Sequence, residues 1–383
     1  MPTTNSNGYD LFQHLGVTPV INASGIYTDL GGSRLGPKAW AAAQEINGHF
    51  VRMTELLDKT GERIASLLGV EAARVTPGAA AAIFLGTAAC LAGSDGEKSQ
   101  QLPDTAGMKH NVLIQAGHRY KYDRQVAMTG ASLIEVGSKN GTRPDQLEAA
   151  IDENTAALLH PAHLDGKPGT LTLEEMVGIA HARGVPVIVD AAYMNYPTSI
   201  MGDYVKRGAD LVCISAKYFG GPNAGGFIMG RKDLIAAVGN VHFTRYESGK
   251  YLKLGRPLKM DRQTIIAVLV ALEEWLTMDH AARFAAYRRQ VAMLEQRLAG
   301  LKGLKAEPKC FTMDERFVDE PVNCLLVTFT GAKSAEEVAR GLEASHPPIL
   351  AIREGDKIGI VMDVLRDDEV AYIGDRLAAL MSG

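Results

Sequence analysis

The sequence predicts an α/β protein, with a mostly parallel sheet forming a large lobe and a smaller α+β lobe at the C-terminal end. Three observations predict it. Between about residue 70 and residue 230, short β-branched runs alternate with helix-length segments, the rhythm of strand and helix units that build a parallel sheet. From Asp261 the pattern changes to a long apolar-periodic helix running towards Gly300, in which Ile265, Val268, Leu269, Leu272 and Leu276 recur at helical spacing. The chain has 383 residues, 46% apolar and 22% charged, which is long and apolar enough for two cores.

In chain order, residues 1–20 are expected to form an N-terminal arm, 21–260 the large domain, and 261–383 a bridging helix with the small domain. The expected strands of the large domain are 111–115, 132–136, 156–160, 185–189, 211–214 and 226–229, each a short run rich in Val, Ile or Leu. Helices are expected at 79–92, 144–151 and 173–183, the last closed by Gly184 as a C-cap. Residues 94–109, rich in Ser, Gln, Asp and Gly, read as an exposed loop. The small domain reads as strand 322–329, helix 334–344, strands 349–353 and 357–361, and a final helix 367–381.

Lys and Arg number 40 against 44 Asp and Glu, a formal net charge of -4, so a nucleic-acid partner is not expected. No window approaches eighteen uninterrupted apolar residues, and the stretch from Met1 to Gly8 is polar; a cytoplasmic protein with no membrane segment is expected. The cysteines Cys90, Cys213, Cys310 and Cys324 are widely spaced, which argues against structural zinc and against a disulfide framework. His160 and His163 lie three apart without a helix pattern or a nearby carboxylate motif and read as strand-end or loop histidines, so no metal is expected.

Three segments carry candidate chemistry. In Ile214-Ser215-Ala216-Lys217-Tyr218-Phe219-Gly220-Gly221-Pro222 a lysine directly follows a strand, at the edge where open α/β sheets bind ligands, and partial desolvation there favours a neutral amine nucleophile. The competing reading is a solvent-facing loop lysine. In Val187-Ile188-Val189-Asp190-Ala191-Ala192 an apolar strand ends on a carboxylate, which is costly at a sheet edge unless a cation such as a pyridinium nitrogen meets it. A helix N-cap is the alternative. Val75-Thr76-Pro77-Gly78-Ala79-Ala80-Ala81-Ala82 is a turn followed by a small-residue helix start, whose backbone N–H groups can approach a phosphate; tight helix packing would select the same residues. It is neither a Walker loop nor a dinucleotide fingerprint.

Phosphate turn, strand-end aspartate and strand-end lysine, in that order, are what a pyridoxal 5′-phosphate site needs. The set resembles fold-type I pyridoxal-phosphate enzymes, and more narrowly the group containing bacterial selenocysteine synthase (seryl-tRNA selenium transferase) and D-glucosaminate-6-phosphate ammonia-lyase. The resemblance extends from about Val20 to near the C-terminus. It rests also on Ile21-Asn22-Ala23-Ser24-Gly25, Leu30-Gly31-Gly32-Ser33, Gly220-Gly221-Pro222 and Gly255-Arg256-Pro257-Leu258-Lys259. It implies that Lys217 is the Schiff-base lysine and proton shuttle, that Asp190 pairs with the pyridine nitrogen, and that Gly78, Ala79, Ala80 and Ser215 hold the phosphate. It further implies that His118 stacks on the cofactor ring, that Arg256 and Lys259 serve the phosphate or the substrate, and that Arg353 clamps a substrate carboxylate. Ala216, and Asn223 where glutamine is common, depart from the pattern and leave substrate choice open, with Asn223 expected to face the pocket. The implied activity is α,β-elimination from a hydroxyamino acid or amino sugar acid, in a homodimer or larger even assembly. Racemisation or aldol cleavage at the same Cα stays open, and selenium transfer to a tRNA is less favoured by the acidic chain.

Overall fold

The computed structural model describes residues 11–382. Among them the strands are, in chain order, β1 (Ile21–Ala23), β2 (Ala72–Thr76), β3 (Asn111–Gln115), β4 (Ser132–Val136), β5 (Thr155–Pro161), β6 (Val187–Asp190) and β7 (Leu211–Ser215). They continue with β8 (Gly226–Gly230), β9 (Leu304–Phe311), β10 (Phe317–Val318), β11 (Cys324–Phe329), β12 (Ile349–Glu354) and β13 (Lys357–Val361). The chain forms two compact units, one of residues 33–278 and one combining the segment before residue 33 with the segment from Asp279 onward.

The large unit is built on a seven-stranded sheet in the order β2-β8-β7-β6-β5-β3-β4. β7, β6, β5, β3 and β4 pair in parallel, and β8 runs antiparallel to both β7 and β2. Both faces are covered. Val187, Val189, Val212 and Ile214 point into one core, while Ile188, Leu211 and Cys213 point into the other. That accounts for continuous apolar runs where a one-sided sheet would alternate with polar residues. The helix Gly78–Ala92 is itself almost wholly buried, which is why its sequence has no polar face.

The small unit has a six-stranded sheet in the order β1-β12-β13-β11-β9-β10. Leu325, Val327, Ile358 and Ile360 pack on one side against Val291, Leu294, Val338, Leu342, Val370 and Ile373 of its helices. The helix Ala335–Glu343 begins with a capping box in which Ser334 and Glu337 satisfy each other's backbone N–H groups.

Several expected elements differ. The single long helix from Asp261 is two, Arg262–Thr277 and His280–Leu298, because Met278 is extended and Asp279 accepts from the N–H of Ala282 to cap a new helix. The first belongs to the large unit and the second to the small, and β1 pairs with β12 of the small unit, so the chain divides at 32/33 and 278/279. Within 94–109 lies a short helix, Gly96–Gln101, capped by the carboxylate of Asp95. The expected N-terminal arm lies outside the described residues up to residue 10; Leu11–Leu15 is helical and exposed.

Candidate active site

The C-terminal ends of β2, β3, β5, β6 and β7 share one edge of the large sheet, with the start of antiparallel β8 among them. In an open α/β sheet this edge is the ligand edge. β6 ends on Asp190, in register with Cys213 of β7, and β7 then runs on through Ser215 into the short turn Ala216–Phe219 that carries Lys217. Asp190, Ser215 and Lys217 are all buried, at 5%, 7% and 9% exposure, which rules out the solvent-facing loop lysine.

Asp190 is held by two donors. The Tyr120 hydroxyl donates to Oδ2 at 2.6 Å and the Ala192 N–H to Oδ1 at 3.1 Å. Burial pushes the Asp190 carboxyl up from the usual aspartate value, and the Tyr120 hydrogen bond, the Ala192 N–H and the nearby His163 oppose that. Burial, with the charge of Asp190, also pushes the Tyr120 phenol up, so it remains a donor. Asp190 caps no helix, which removes the N-cap reading.

A row of rings continues from there. The His163 ring lies 5.3 Å from that of Tyr120 and 5.9 Å from that of Tyr193, and the Tyr193 ring is 5.9 Å from that of Tyr218. The Lys217 Nζ stands 4.9 Å from the Tyr218 ring centroid. Tyr120, Tyr193 and Tyr218 were missed from sequence. The signal available was position alone, since each lies within five residues of a strand end at this edge.

Beside β7 is a cradle shaped by glycines. Gly78 has φ +86, open to glycine and strained for other residues. A Cβ at Gly226 would sit 2.8 Å from the Gly78 Cα and 2.4 Å from the Ile214 carbonyl oxygen. The helix Gly78–Ala92 therefore starts against the β7 and β8 ends. Pro77, at its N-cap, supplies no side-chain cap, which leaves the first-turn N–H groups of Gly78, Ala79 and Ala80 to an anion.

The remaining expected residues lie as follows. His118 is fully buried, its Nε2 3.0 Å from Thr170 Oγ1, its Nδ1 3.2 Å from Gln115 Nε2, and its ring edge-on to His160 at 5.2 Å. Burial, with His160 and Lys167 nearby, pushes it down to about 4. The ring in contact with Asp190 belongs to Tyr120, two residues on. Arg256 pairs with Glu247 at 2.8 Å and lies over the Tyr246 ring; Lys259 is exposed. Asn223 is half-buried in the turn after Gly221-Pro222, which Ser33 ties down by donating to the Gly221 carbonyl at 2.7 Å. Arg353 is opposite Ile358 on β13, on the side of the small sheet covered by helices, with Glu336 4.0 Å away. The loop after β5 is anchored by Asp165 to Arg207 and the Leu173 N–H, and by Lys167 to the Gly117 carbonyl, and this positions His163. Among the described residues no cluster of three or more His, Cys, Asp or Glu is placed to hold a metal ion. No helix among them is long and apolar enough to cross a membrane.

The profile of SelA, L-seryl-tRNA selenium transferase, matches residues 20–307. The chain belongs to the SelA family. It is 33% identical over 306 residues to the 5′-C-glycyluridine monooxygenase-decarboxylase of Streptomyces sp, covering 77% of this chain and 72% of that one. It is 32% identical over 304 residues to the D-glucosaminate-6-phosphate ammonia lyase of Salmonella typhimurium, 78% of each. The L-seryl-tRNA(Sec) selenium transferase of Moorella thermoacetica is 29% identical over 291 residues, 69% of this chain and 57% of that one. Among solved structures, that of D-glucosaminate-6-phosphate ammonia-lyase superposes with a TM-score of 0.84 at 28% identity over 98% of both chains. A structure of SPT with PLP shares the fold at a TM-score of 0.54, 14% identity, over 95% of this chain and 87% of that one. This SelA-family member thus has the fold-type I architecture, and it is an enzyme whose cofactor is pyridoxal 5′-phosphate. The site fits that group: an uncapped helix start against glycines suits the phosphate, the buried Asp190 carboxylate suits a pyridinium, and Lys217 offers an amine at the same edge.

Proposed function

We propose that this SelA-family enzyme is a lyase that takes a small hydroxyamino acid or amino sugar acid and releases ammonia and a keto acid. The observation that carries it is the buried pair at the ends of adjacent strands, Lys217 after β7 and Asp190 at the end of β6, beside a glycine cradle. Similarity to an ammonia lyase over 98% of both chains gives the reaction class. When bound, pyridoxal phosphate supplies an electron sink for charge developing at the substrate Cα. Lys217 Nζ then takes the Cα proton and returns one to the leaving hydroxyl, with the Tyr218 face steadying its ammonium form. Asp190 keeps the proton on the ring nitrogen. The N–H groups of Gly78, Ala79 and Ala80, with the Ser215 hydroxyl, hold the phosphate, and Asn223 faces the substrate.

A small-molecule substrate is preferred to a charged tRNA because the chain carries a net charge of -4. The four free cysteines suit the cytoplasm. A homodimer or larger even assembly accounts for Trp40 and Phe50, exposed at 63% and 96%, and for a cleft of about 550 Å³ lined by Trp40, Leu35 and Pro222. Sedimentation equilibrium of the holoenzyme should give an even multiple of the chain mass; a monomer at micromolar concentration removes that part.

The deciding experiment incubates holoenzyme with D-glucosaminate 6-phosphate and with D- and L-hydroxyamino acids, and measures ammonia, keto acid, carbon dioxide and oxygen uptake. Equimolar ammonia and keto acid are expected. Carbon dioxide with oxygen uptake would move the chain to the chemistry named for its Streptomyces relative. Inverted substrate, or an aldehyde product, would assign racemisation or aldol cleavage.

A further inference from the structure

We propose that Tyr120 is a positioning residue for Asp190, its phenol fixing the orientation of the carboxylate that faces the cofactor's ring nitrogen. The inference rests on the pyridoxal-phosphate reading of the site.

A carboxylate at the end of a strand is free to turn about its last torsion unless both oxygens are held. Here they are: Tyr120 Oη donates to Oδ2 at 2.6 Å and the Ala192 N–H to Oδ1 at 3.1 Å. Each oxygen has a second lone pair left, so two bonds fix the plane while leaving capacity for a third donor. The short phenol bond is the stronger of the two, being an O–H to a charged acceptor.

Tyr120 is itself fixed from several sides. Its N–H donates to Asp123 Oδ2 at 3.0 Å, and Asp123, 3% exposed, is gripped by Arg119 Nε at 2.5 Å. Its ring lies 6.2 Å from that of Tyr122 and 5.3 Å from that of His163. A turn tied at Asp123 thus delivers one hydroxyl to one carboxylate oxygen across to the end of β6. The other groups facing Asp190 are His163, from the turn after β5, and Cys213, opposite it on β7. Tyr120 gives the Asp190 carboxylate a short side-chain hydrogen bond. Burial by itself pushes Asp190 towards its neutral form, and the phenol opposes this.

A merely structural Tyr120 would pack its ring and nothing more, and Tyr120→Phe preserves that packing. The test compares wild type, Tyr120→Phe, Asp190→Asn and the double variant, each reconstituted with pyridoxal phosphate. The readouts are the cofactor Kd by equilibrium dialysis and the pH midpoint of the visible absorption band. Tyr120→Phe is expected to weaken the cofactor about tenfold and to move the pH midpoint, since a hydrogen bond to a charged group is lost. Asp190→Asn should weaken it more. The double should match Asp190→Asn within a factor of about two, because a residue acting through Asp190 has nothing left to act on.

Tyr120→Phe behaving as wild type while Asp190→Asn is impaired overturns the proposal and leaves the site standing, as does a double variant whose losses multiply. Wild type that takes up no cofactor, or Asp190→Asn that matches wild type, overturns the reading of the site instead, and the proposal goes with it. If Tyr120→Phe alone does not fold, the double variant, with no buried carboxylate to satisfy, should recover the fold. A double that also fails assigns Tyr120 to packing.

Discussion

Lys217 is where sequence and chemistry meet at the scale of one residue. It is 9% exposed, sits two residues beyond the end of β7, and has the Tyr218 face 4.9 Å from its ammonium nitrogen. A buried amine in that place is available to the cofactor and to the substrate Cα in turn, so Lys217→Ala should lower kcat about 10²- to 10⁴-fold. It should also abolish the borohydride-fixed pyridoxyl label on the peptide carrying residue 217, read by mass spectrometry. Full turnover in that variant would falsify the assigned mechanism. Lys217, Asp190, Ser215 and the Gly78 turn were legible because each is tied to a strand end or helix start that hydrophobic pattern alone reveals. Tyr120 was not, because a single sequence does not say which ring of the run His118-Arg119-Tyr120-Lys121-Tyr122 a turn carries over to β6. Arg353 shows the matching difficulty on a strand. Side chains alternate between faces, and only the pairing of Arg353 with Ile358 says that it shares the helix-covered side with Ile349 and Ala351.

At the scale of elements, the site depends on how closely the helix Gly78–Ala92 can approach the β7–β8 hairpin. Gly226 sets that distance, since a Cβ there would meet the Ile214 carbonyl at 2.4 Å and the Gly78 Cα at 2.8 Å, both backbone atoms that cannot swing aside. Gly226→Ala should therefore destabilise the large unit by about 1–3 kcal/mol. That corresponds to a drop in melting temperature of roughly 3–9 °C. It should also weaken pyridoxal phosphate, because the helix start moves with the strand; an unchanged cofactor Kd would separate the cradle from the phosphate. β8 was read as a strand, but not its antiparallel direction, and β2 was not read at all, since Ala72–Thr76 is short and contains Arg74. The inner parallel strands β3, β5, β6 and β7 were easier, being buried on both faces and dominated by apolar residues. The break at Met278 escaped notice because apolar periodicity runs across it. Its marks are local, an aspartate at 279 whose side chain caps the next helix, and they are outweighed when a long window is read for period.

Each unit carries a group whose pKa desolvation moves, in opposite directions with respect to acid stability, so the two units respond differently as pH falls. In the large unit His118 is fully buried and pushed from the usual 6.5 down to about 4, so the folded state keeps it neutral while the unfolded chain takes a proton. The stability this contributes is complete above about 6.5 and is lost progressively as pH falls through about 4, up to roughly 3 kcal/mol. Buried His242, also pushed down by desolvation, has the same sign. In the small unit burial pushes Asp363 from 3.8 up to about 6, against an Asn323 Nδ2 hydrogen bond at 3.1 Å and the nearby Arg283. There the folded state holds the proton that the unfolded chain has released, so the contribution is complete below about 3.8 and is lost as pH rises through about 6. Hydrogen exchange reads each unit separately. Between pH 4 and 6.5, amides of β3 and β5 should gain protection in wild type relative to His118→Gln as pH rises. Amides of β11 and β13 should lose protection in wild type relative to Asp363→Asn over the same range. Equal slopes in wild type and variant at either place would show that the group there titrates alike in the folded and unfolded chain, and that its burial has no hold on stability.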